Sequence, residues 1–148
     1  MTNQSIRLNI KLLLTMYKLF TDGGSRGNPG HAAIGCVIWE DGKLIDIDMD
    51  YIGIATNNIA EYKALEMGLI SLRKKGVKKV EIYMDSELVV KQIKGEYKVK
   101  NEEISKEYSK IKFVLESFDD YEISYVPREQ NKIADRLVNL ALDLKLNN

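Results

Sequence analysis

The chain of 148 residues carries 22 Lys and Arg side chains against 22 Asp and Glu side chains, with one His and one Cys. This length fits one domain, and 45% apolar with 30% charged residues is a globular balance that excludes disordered and fibrous classes. A single cysteine permits no intrachain disulfide, and no apolar run approaches the roughly 18 residues of a membrane span, so we expect a cytoplasmic protein. The zero net charge argues at first against a nucleic-acid partner, because proteins that bind phosphate usually carry a basic excess.

The first fifteen residues differ from the rest of the chain. A short apolar stretch over residues 8–14 is interrupted by Lys11, and neither the apolar segment nor the cleavage site of a secretory signal is clear. Because Met16 directly precedes a convincing strand, we interpret residues 1–15 as a dispensable extension that could be disordered, and residues 16–148 as one domain. The alternative is an ordered edge segment packed on that domain.

The first part of the domain has the pattern of three successive strands, which we place at Tyr17–Thr21, Ala32–Glu40 and Lys43–Ile54. Asp41-Gly42 between the second and third is a strong signal for a two-residue hairpin. We therefore expect an antiparallel meander.

Helices and strands alternate in the remainder of the chain. Gly76 and Gly95 stand where glycines end helices, and Asn101 stands where an N-cap residue begins one. We expect helices at Asn57–Lys75, Ser86–Lys94, Asn101–Ser117 and Lys132–Leu146, and strands at Val80–Met84 and Tyr121–Val126. The order βββαβαβα implies an α/β protein with a mixed sheet covered by helices on both faces.

Four carboxylates fall at notable positions in these elements. Asp22 ends the first strand and Asp85 the fourth, so a parallel pairing of these strands would place the two acids side by side. Glu61 belongs to the helix face that packs on the sheet, and Asp135 opens the last helix. Taken singly, Asp85 could be a helix N-cap and Glu61 could be a solvated side chain. Asp135 could be an acidic residue that interacts favourably with the positive end of the helix dipole. Together, with no basic residue predicted nearby, they favour Mg²⁺ or Mn²⁺ and two-metal displacement at phosphorus.

Four segments of the chain resemble, in order and at family spacing, the motifs of type 1 ribonuclease H. They are Thr21–Gly30, Thr56–Tyr62, Asp85–Val90 and Pro127–Asp135, within a similarity that runs from about residue 17 to residue 141. The resemblance implies the ribonuclease H-like fold, whose five-stranded mixed sheet has the order 3-2-1-4-5. The chain is similar to the short archaeal-like variant, because it lacks the basic handle that some relatives insert after the third motif.

The resemblance also implies an activity, namely endonucleolytic hydrolysis of the RNA strand of RNA/DNA hybrids that leaves 5′-phosphate and 3′-hydroxyl ends. It marks Asp22, Glu61, Asp85 and Asp135 as catalytic and metal-binding residues for two Mg²⁺ or Mn²⁺ ions. It implies an RNA/DNA hybrid as partner, with no membrane or protein partner and a monomeric state. Some cleavage of RNA/RNA duplexes would fit the archaeal-like variant. The alternatives are a catalytically silent nucleic-acid-binding module and a resolvase- or transposase-type nuclease of the same fold.

Short polar groups and glycines suit recognition of the ribose 2′-hydroxyls in the minor groove. The resemblance implies substrate contacts by Gly23, Ser25, Gly27, Asn28, Thr56, Asn57, Asn58, Arg128 and Asn131. Tyr97, Lys98 and Lys100 are possible contacts to the DNA strand, and a solvated turn is the alternative for them. For Asn57 and Asn58 the alternative, or an additional role, is a helix N-cap pair.

The chain departs from the family in its last loop. Many members carry a His there, whereas the segment before Asn131 has Arg128 and Glu129 instead, so the proton-transfer partner is open. The only His, His31, is expected to be a surface loop residue, and Cys36 and Trp39 to be core residues of the second strand. Assigning four acids to metal leaves 22 basic against 18 acidic side chains, so the zero net charge does not exclude a nucleic acid.

Overall fold

The computed structural model describes residues 2–147. Along the chain they form α1 (Asn3–Leu14), β1 (Tyr17–Arg26), β2 (Gly30–Glu40), β3 (Lys43–Ala55), α2 (Asn57–Lys74), β4 (Lys79–Met84), α3 (Glu87–Ile93), α4 (Glu102–Leu115), β5 (Asp120–Tyr125), a 3₁₀ turn (Arg128–Gln130) and α5 (Lys132–Leu146). None of the helices in this described part combines the length and the apolar character needed to cross a bilayer.

The strands of the described chain form one five-stranded sheet in the order β3-β2-β1-β4-β5. β2 pairs antiparallel with both β1 and β3, whereas β4 pairs parallel with both β1 and β5. The β2–β3 hairpin turns at Asp41 and Gly42, whose φ angles of 47° and 80° are those of a type I′ turn. The predicted meander, hairpin and strand order are confirmed.

Helices cover both faces of the sheet because β2 is apolar on both sides. Ala32 and Ile34 pack against α2, through Ala60 and Ala64, while Val37 on the opposite face packs against α5. An apolar run of this kind is typical of a strand buried on both faces. The predicted mixed sheet with helices on both sides is therefore confirmed.

The packing of α5 on β2 depends on a glycine. A Cβ atom at Gly35 would lie 2.8 Å from Cβ of Leu137 and 2.9 Å from the Ala134 carbonyl oxygen. Only a residue without a side chain therefore lets the first turns of α5 approach the strand this closely. This contact fixes the beginning of the helix that carries Asp135.

The two core predictions for β2 have different outcomes. Cys36 is buried as expected, with 2% of its surface exposed. Trp39 is only partly buried and packs against the core cluster of Val37, Ala134 and Leu137, so it lies at the edge of the core. It lies at a cleft of about 480 Å³ bounded by Phe20 and the start of α5, because the helix begins too late in the chain to cover this end of the strand.

The predicted helix boundaries are confirmed to within a few residues. Asn101 caps α4, its side-chain Oδ1 accepting a hydrogen bond from the Ile104 amide at 3.0 Å. Gly76 and Gly95 follow α2 and α3 with φ angles of 79° and 80°, a conformation that favours glycine.

Within the predicted extension, residues Asn3–Leu14 form helix α1. Thr2 caps α1 by accepting a hydrogen bond from the Ser5 amide at 3.1 Å. Apolar side chains of α1 that the structure describes are exposed, Leu8 at 57% and Leu14 at 77% among them. That α1 is dispensable for the domain stays a prediction. Of the predicted ranges 1–15 and 16–148, residues 1 and 148 lie outside the described residues.

Candidate active site

Two of the predicted acids meet because their strands are parallel neighbours. Asp22 belongs to β1, and Asp85 directly follows β4. The last paired residues of the two strands are Thr21 and Met84, each of which comes one residue before an acid. The parallel register therefore places both carboxylates at the same edge of the sheet.

Glu61 reaches this edge from α2 and is almost fully buried, with 6% of its surface exposed. Its Oε1 accepts a hydrogen bond from the Gly23 amide at 2.5 Å, which joins the helix to the strand residue next to Asp22. A Cβ atom at Gly23 would lie 2.3 Å from the carbonyl carbon of Ala60, so the helix can approach β1 only at a glycine.

The structure brings three of the four predicted acids into one cluster. Carboxylate oxygens of Asp22, Glu61 and Asp85 all lie within 4.8 Å of one another. Asp135, in the first turn of α5, is not part of this tight group, but it lines the same cavity of about 590 Å³ as the other three. The four acids predicted to converge therefore form a close group of three carboxylates, with the fourth carboxylate on the wall of the same cavity.

The cluster holds protons when no cation is bound. Burial, together with the charges of Glu61 and Asp85, raises the pKa of Asp22 to about 10. Burial also raises the pKa of Glu61 to about 7, although its hydrogen bonds to Asp22 and Gly23 act in the opposite direction. The pKa of Asp85 is raised by burial as well. Carboxyl groups this close cannot all ionise cheaply unless positive charge joins them.

One cation lies near the acids, which corrects the expectation that no basic residue is placed there. Arg128 has Nη2 3.8 Å from Asp135 Oδ1, and its charge counteracts the raised pKa of Asp85 that burial causes. The 3₁₀ turn that follows Pro127 brings the guanidinium back toward α5. The Arg128 side chain is 78% exposed, so its ion pair with Asp135 lies at the rim of the cavity.

The capping roles considered for these motifs belong to other residues. Ser86, not Asp85, caps α3, accepting a hydrogen bond from the Val89 amide at 3.3 Å. Thr56 caps α2 through a 3.2 Å hydrogen bond from the Ile59 amide, so the N-cap interpretation of Asn57 and Asn58 is wrong. Because neighbours perform the capping, the side chains of Asp85 and the two asparagines remain available to the cavity.

The predicted substrate contacts separate into two groups. Those that line the cavity with the acids are Gly23, Ser25, Asn57, Asn58 and Arg128. Those outside its described lining are Gly27, Asn28, Thr56 and Asn131.

Asn57 joins the start of α2 to the end of β1, which continues to Arg26 instead of ending at Asp22 as the sequence suggested. Asn57 Oδ1 accepts one hydrogen bond from the Ser25 amide at 2.8 Å and another from the Ser25 hydroxyl at 3.1 Å. The Asn57 amide in turn donates to Asn28 Oδ1 at 3.1 Å. Asn28 therefore holds the beginning of α2 against the β1–β2 loop, although it does not line the cavity itself.

The remaining predicted residues lie further from the acids. Lys98 and Lys100 are exposed between α3 and α4, and the Tyr97 hydroxyl accepts a hydrogen bond from Lys91 Nζ at 3.3 Å. His31 is exposed as expected, but it lies on β2 rather than in a loop, with Nδ1 2.6 Å from the Tyr51 hydroxyl.

The structure adds cavity residues that the motifs did not single out. Ser86 lines the cavity and acts against the raised pKa of Glu61, and Asn139 lines the cavity one helical turn after Asp135. Arg26 lines it too, held by a 2.6 Å ion pair with Asp143. Asn139 could have been predicted, because residues four apart on a helix lie on the same face and Asn139 is four residues after Asp135. The position of Arg26 could not, because it depends on the ion pair with Asp143, which is distant in sequence.

Comparison with known proteins gives consistent matches. A family model described as "Reverse transcriptase-like" matches residues 20–141. The chain is 42% identical over 125 residues to Ribonuclease HI of Halobacterium salinarum, covering 84% of this chain and 63% of that protein. It is 42% identical over 124 residues to a bifunctional protein of Mycobacterium tuberculosis, covering 82% of this chain and 34% of the relative. The chain thus spans about a third of the length of the first curated relatives it matches.

Among solved structures, the chain is similar to LC11-RNase H1 in complex with an RNA/DNA hybrid. The TM-score is 0.84 at 42% sequence identity, and the match covers 88% of this chain and 99% of the other.

Proposed function

The chain belongs to the type 1 ribonuclease H family, and from this we propose that it cleaves the RNA strand of RNA/DNA hybrids endonucleolytically, leaving 5′-phosphate and 3′-hydroxyl ends. The observation that carries the proposal is the cluster of Asp22, Glu61 and Asp85, whose carboxylate oxygens lie within 4.8 Å of one another at the edge of the sheet. The hybrid in the related LC11 complex supports the substrate class.

The donor set of the cluster fits hard divalent cations. It consists of carboxylates alone, two of them buried, and these repel one another strongly enough to retain protons in the absence of a cation. Asp22, Glu61 and Asp85, with Asp135 on the cavity wall, would hold two Mg²⁺ or Mn²⁺ ions. Such ions supply activation of water near neutral pH and stabilisation of charge on the leaving oxygen.

The residues around the acids account for binding and orientation of the substrate. Ser25, Asn57 and Asn58 present short polar groups to the cavity, which is suited to contacts with ribose hydroxyls in a wide minor groove. Arg128 is exposed at the rim, so its guanidinium can meet a phosphate while it also faces Asp135. Tyr97, Lys98 and Lys100 remain candidates for the DNA strand.

A substrate panel tests this proposal. RNA/DNA, RNA/RNA and DNA/DNA duplexes are incubated with the protein in Mg²⁺, in Mn²⁺ and in chelator. We expect cleavage of the hybrid only with metal, and at least a ~100-fold slower reaction for Asp85→Asn. Asp119→Asn makes the same chemical change at an exposed position outside the cavity lining, and it should cleave as the wild type does. A hybrid that survives with metal, or an Asp85→Asn variant as active as the control, refutes the proposal.

The same panel addresses the alternatives. A silent binding module would bind the hybrid without cutting it, and a resolvase- or transposase-type nuclease would cut DNA. Buried carboxylates with raised pKa values are costly in a pure binding module, which favours an enzyme. Cleavage of RNA/RNA would be a side activity. The cytoplasmic location and the monomeric state stay predictions.

A further inference from the structure

Asn131 occupies a position that its predicted role does not explain. It is buried, with 2% of its surface exposed, so it cannot be an open contact surface for a duplex. It is the N-cap residue of α5, where an asparagine side chain ordinarily accepts a hydrogen bond from the first turn. Its side chain makes no such capping bond.

The side chain instead donates toward the acids. Nδ2 of Asn131 donates to the carbonyl oxygen of Thr21 at 2.9 Å, directly before Asp22 in β1. The Asn131 backbone carbonyl also accepts the Asp135 amide at 3.1 Å. Asn131 thus joins the strand that carries Asp22 to the first turn of the helix that carries Asp135.

The arrangement leaves the oxygen of the Asn131 side-chain amide without a partner. Oδ1 of Asn131 is buried and accepts no hydrogen bond from the described residues. A buried acceptor without a partner is unfavourable, and native proteins rarely retain one without a compensating role. An apolar side chain would remove this penalty and would also remove the donor contact to β1.

We propose that Asn131 is a positioning residue that connects β1 to the start of α5, and so sets the positions of Asp22 and Asp135 among the carboxylates that receive metal. This proposal rests on the proposed function for its relevance to catalysis, but the metal affinity tests it independently. It replaces the role of substrate contact expected from the sequence.

The experiment measures Mn²⁺ binding by calorimetry on wild type, Asn131→Ala, Asn131→Leu and Val114→Ala. Leucine has the branched outline of asparagine without its polar atoms, so it does not leave the site empty, and a cavity effect in the alanine variant does not leave the proposal untested. Val114 is buried on α4 away from the acids, so Val114→Ala controls for a general loss of stability. We expect the Kd for Mn²⁺ to rise about 10- to 100-fold in both Asn131 variants, as for other partners of metal ligands, and to stay unchanged in the control.

Hybrid cleavage separates positioning from substrate contact. For Asn131→Leu at subsaturating metal we expect a lower kcat with an unchanged KM for the hybrid. A raised KM with unchanged kcat and unchanged Mn²⁺ affinity would make Asn131 a substrate contact and overturn the proposal. Equal loss of metal affinity in Val114→Ala would overturn it too. If the wild type bound Mn²⁺ but cut no hybrid, the proposed function would fail, while the calorimetric comparison would still decide the role of Asn131.

Discussion

Replacing Asp22 by asparagine should make the metal-free protein more stable at neutral pH. Burial and the neighbouring carboxylates raise the pKa of Asp22 from 3.8 to about 10, so the folded protein holds a proton there that the unfolded chain releases. A group whose pKa is raised by folding stabilises the folded state fully below its unfolded pKa. That contribution is then lost as the pH rises toward the folded pKa.

The size of the effect follows from this linkage. Each pH unit between the two pKa values costs about 1.4 kcal/mol, so holding the proton at pH 7 costs up to about 4 kcal/mol. This is a large part of the roughly 5–15 kcal/mol that stabilises a typical domain. Asparagine has no proton to lose, and its amide can still donate to Glu61. We therefore expect Asp22→Asn to unfold at a higher urea concentration than wild type at pH 7, and the difference to grow with pH.

The assay is urea unfolding in chelator between pH 5 and pH 9, followed by the fluorescence of Trp39, the only tryptophan of the chain. The wild type should lose stability steadily over this range, whereas Asp22→Asn should lose much less, with Glu61 contributing chiefly below its raised pKa of about 7. Added Mn²⁺ should stabilise the wild type more than the variant, because ligand binding to the folded state adds to its stability. A variant less stable than wild type at pH 7, or a wild type insensitive to pH without metal, would refute the reasoning.

Three further changes test the surroundings of the acids. Gly23→Ala should lower the free energy of unfolding by about 3 kcal/mol or more and abolish hybrid cleavage, because the alanine Cβ would lie 2.3 Å from the Ala60 carbonyl carbon. Urea unfolding measures the first effect and the duplex assay the second. Arg128→Ala should weaken hybrid binding and reduce the salt slope of log K by about 1 if the guanidinium meets one phosphate, and an unchanged slope would exclude that contact. Asn57→Ala removes the acceptor that holds Ser25, so it should raise KM for the hybrid about tenfold with little loss of stability. Steady-state kinetics and thermal unfolding measure these two effects. An unchanged KM would contradict a role of the Asn57–Ser25 contact in substrate binding.

Much of the site could be predicted because it depends on regular structure. The ends of parallel neighbouring strands meet at one edge of a sheet, so the proximity of Asp22 and Asp85 followed once the family resemblance supplied the strand order. The burial of Glu61 followed from the apolar stripe of its helix. The hairpin at Asp41 and Gly42 followed from the turn chemistry that those two residues favour.

The parts that could not be predicted depend on side-chain direction and on contacts outside regular elements. Asn131 has the residue type and the position of a helix cap, yet its amide points to β1, which only the packing of α5 decides. The approach of Arg128 to Asp135 depends on a short 3₁₀ turn without a periodic pattern. Trp39 has the composition of a core residue, but the late start of α5 leaves it beside an open cleft. The helix at Asn3–Leu14 was not predicted, although its apolar residues recur at helical spacing.

The proposed function requires that the carboxylate cluster, loaded with divalent metal, cuts the RNA strand of a hybrid. The most direct measurement uses a hybrid whose RNA and DNA strands carry different end labels, with the chemistry of the new ends determined after cleavage in Mn²⁺. We expect RNA fragments with 5′-phosphate and 3′-hydroxyl ends, an intact DNA strand, and no cleavage in chelator or by Asp22→Asn. Cleavage of the DNA strand, cleavage in chelator, or an Asp22→Asn variant as active as wild type would contradict it.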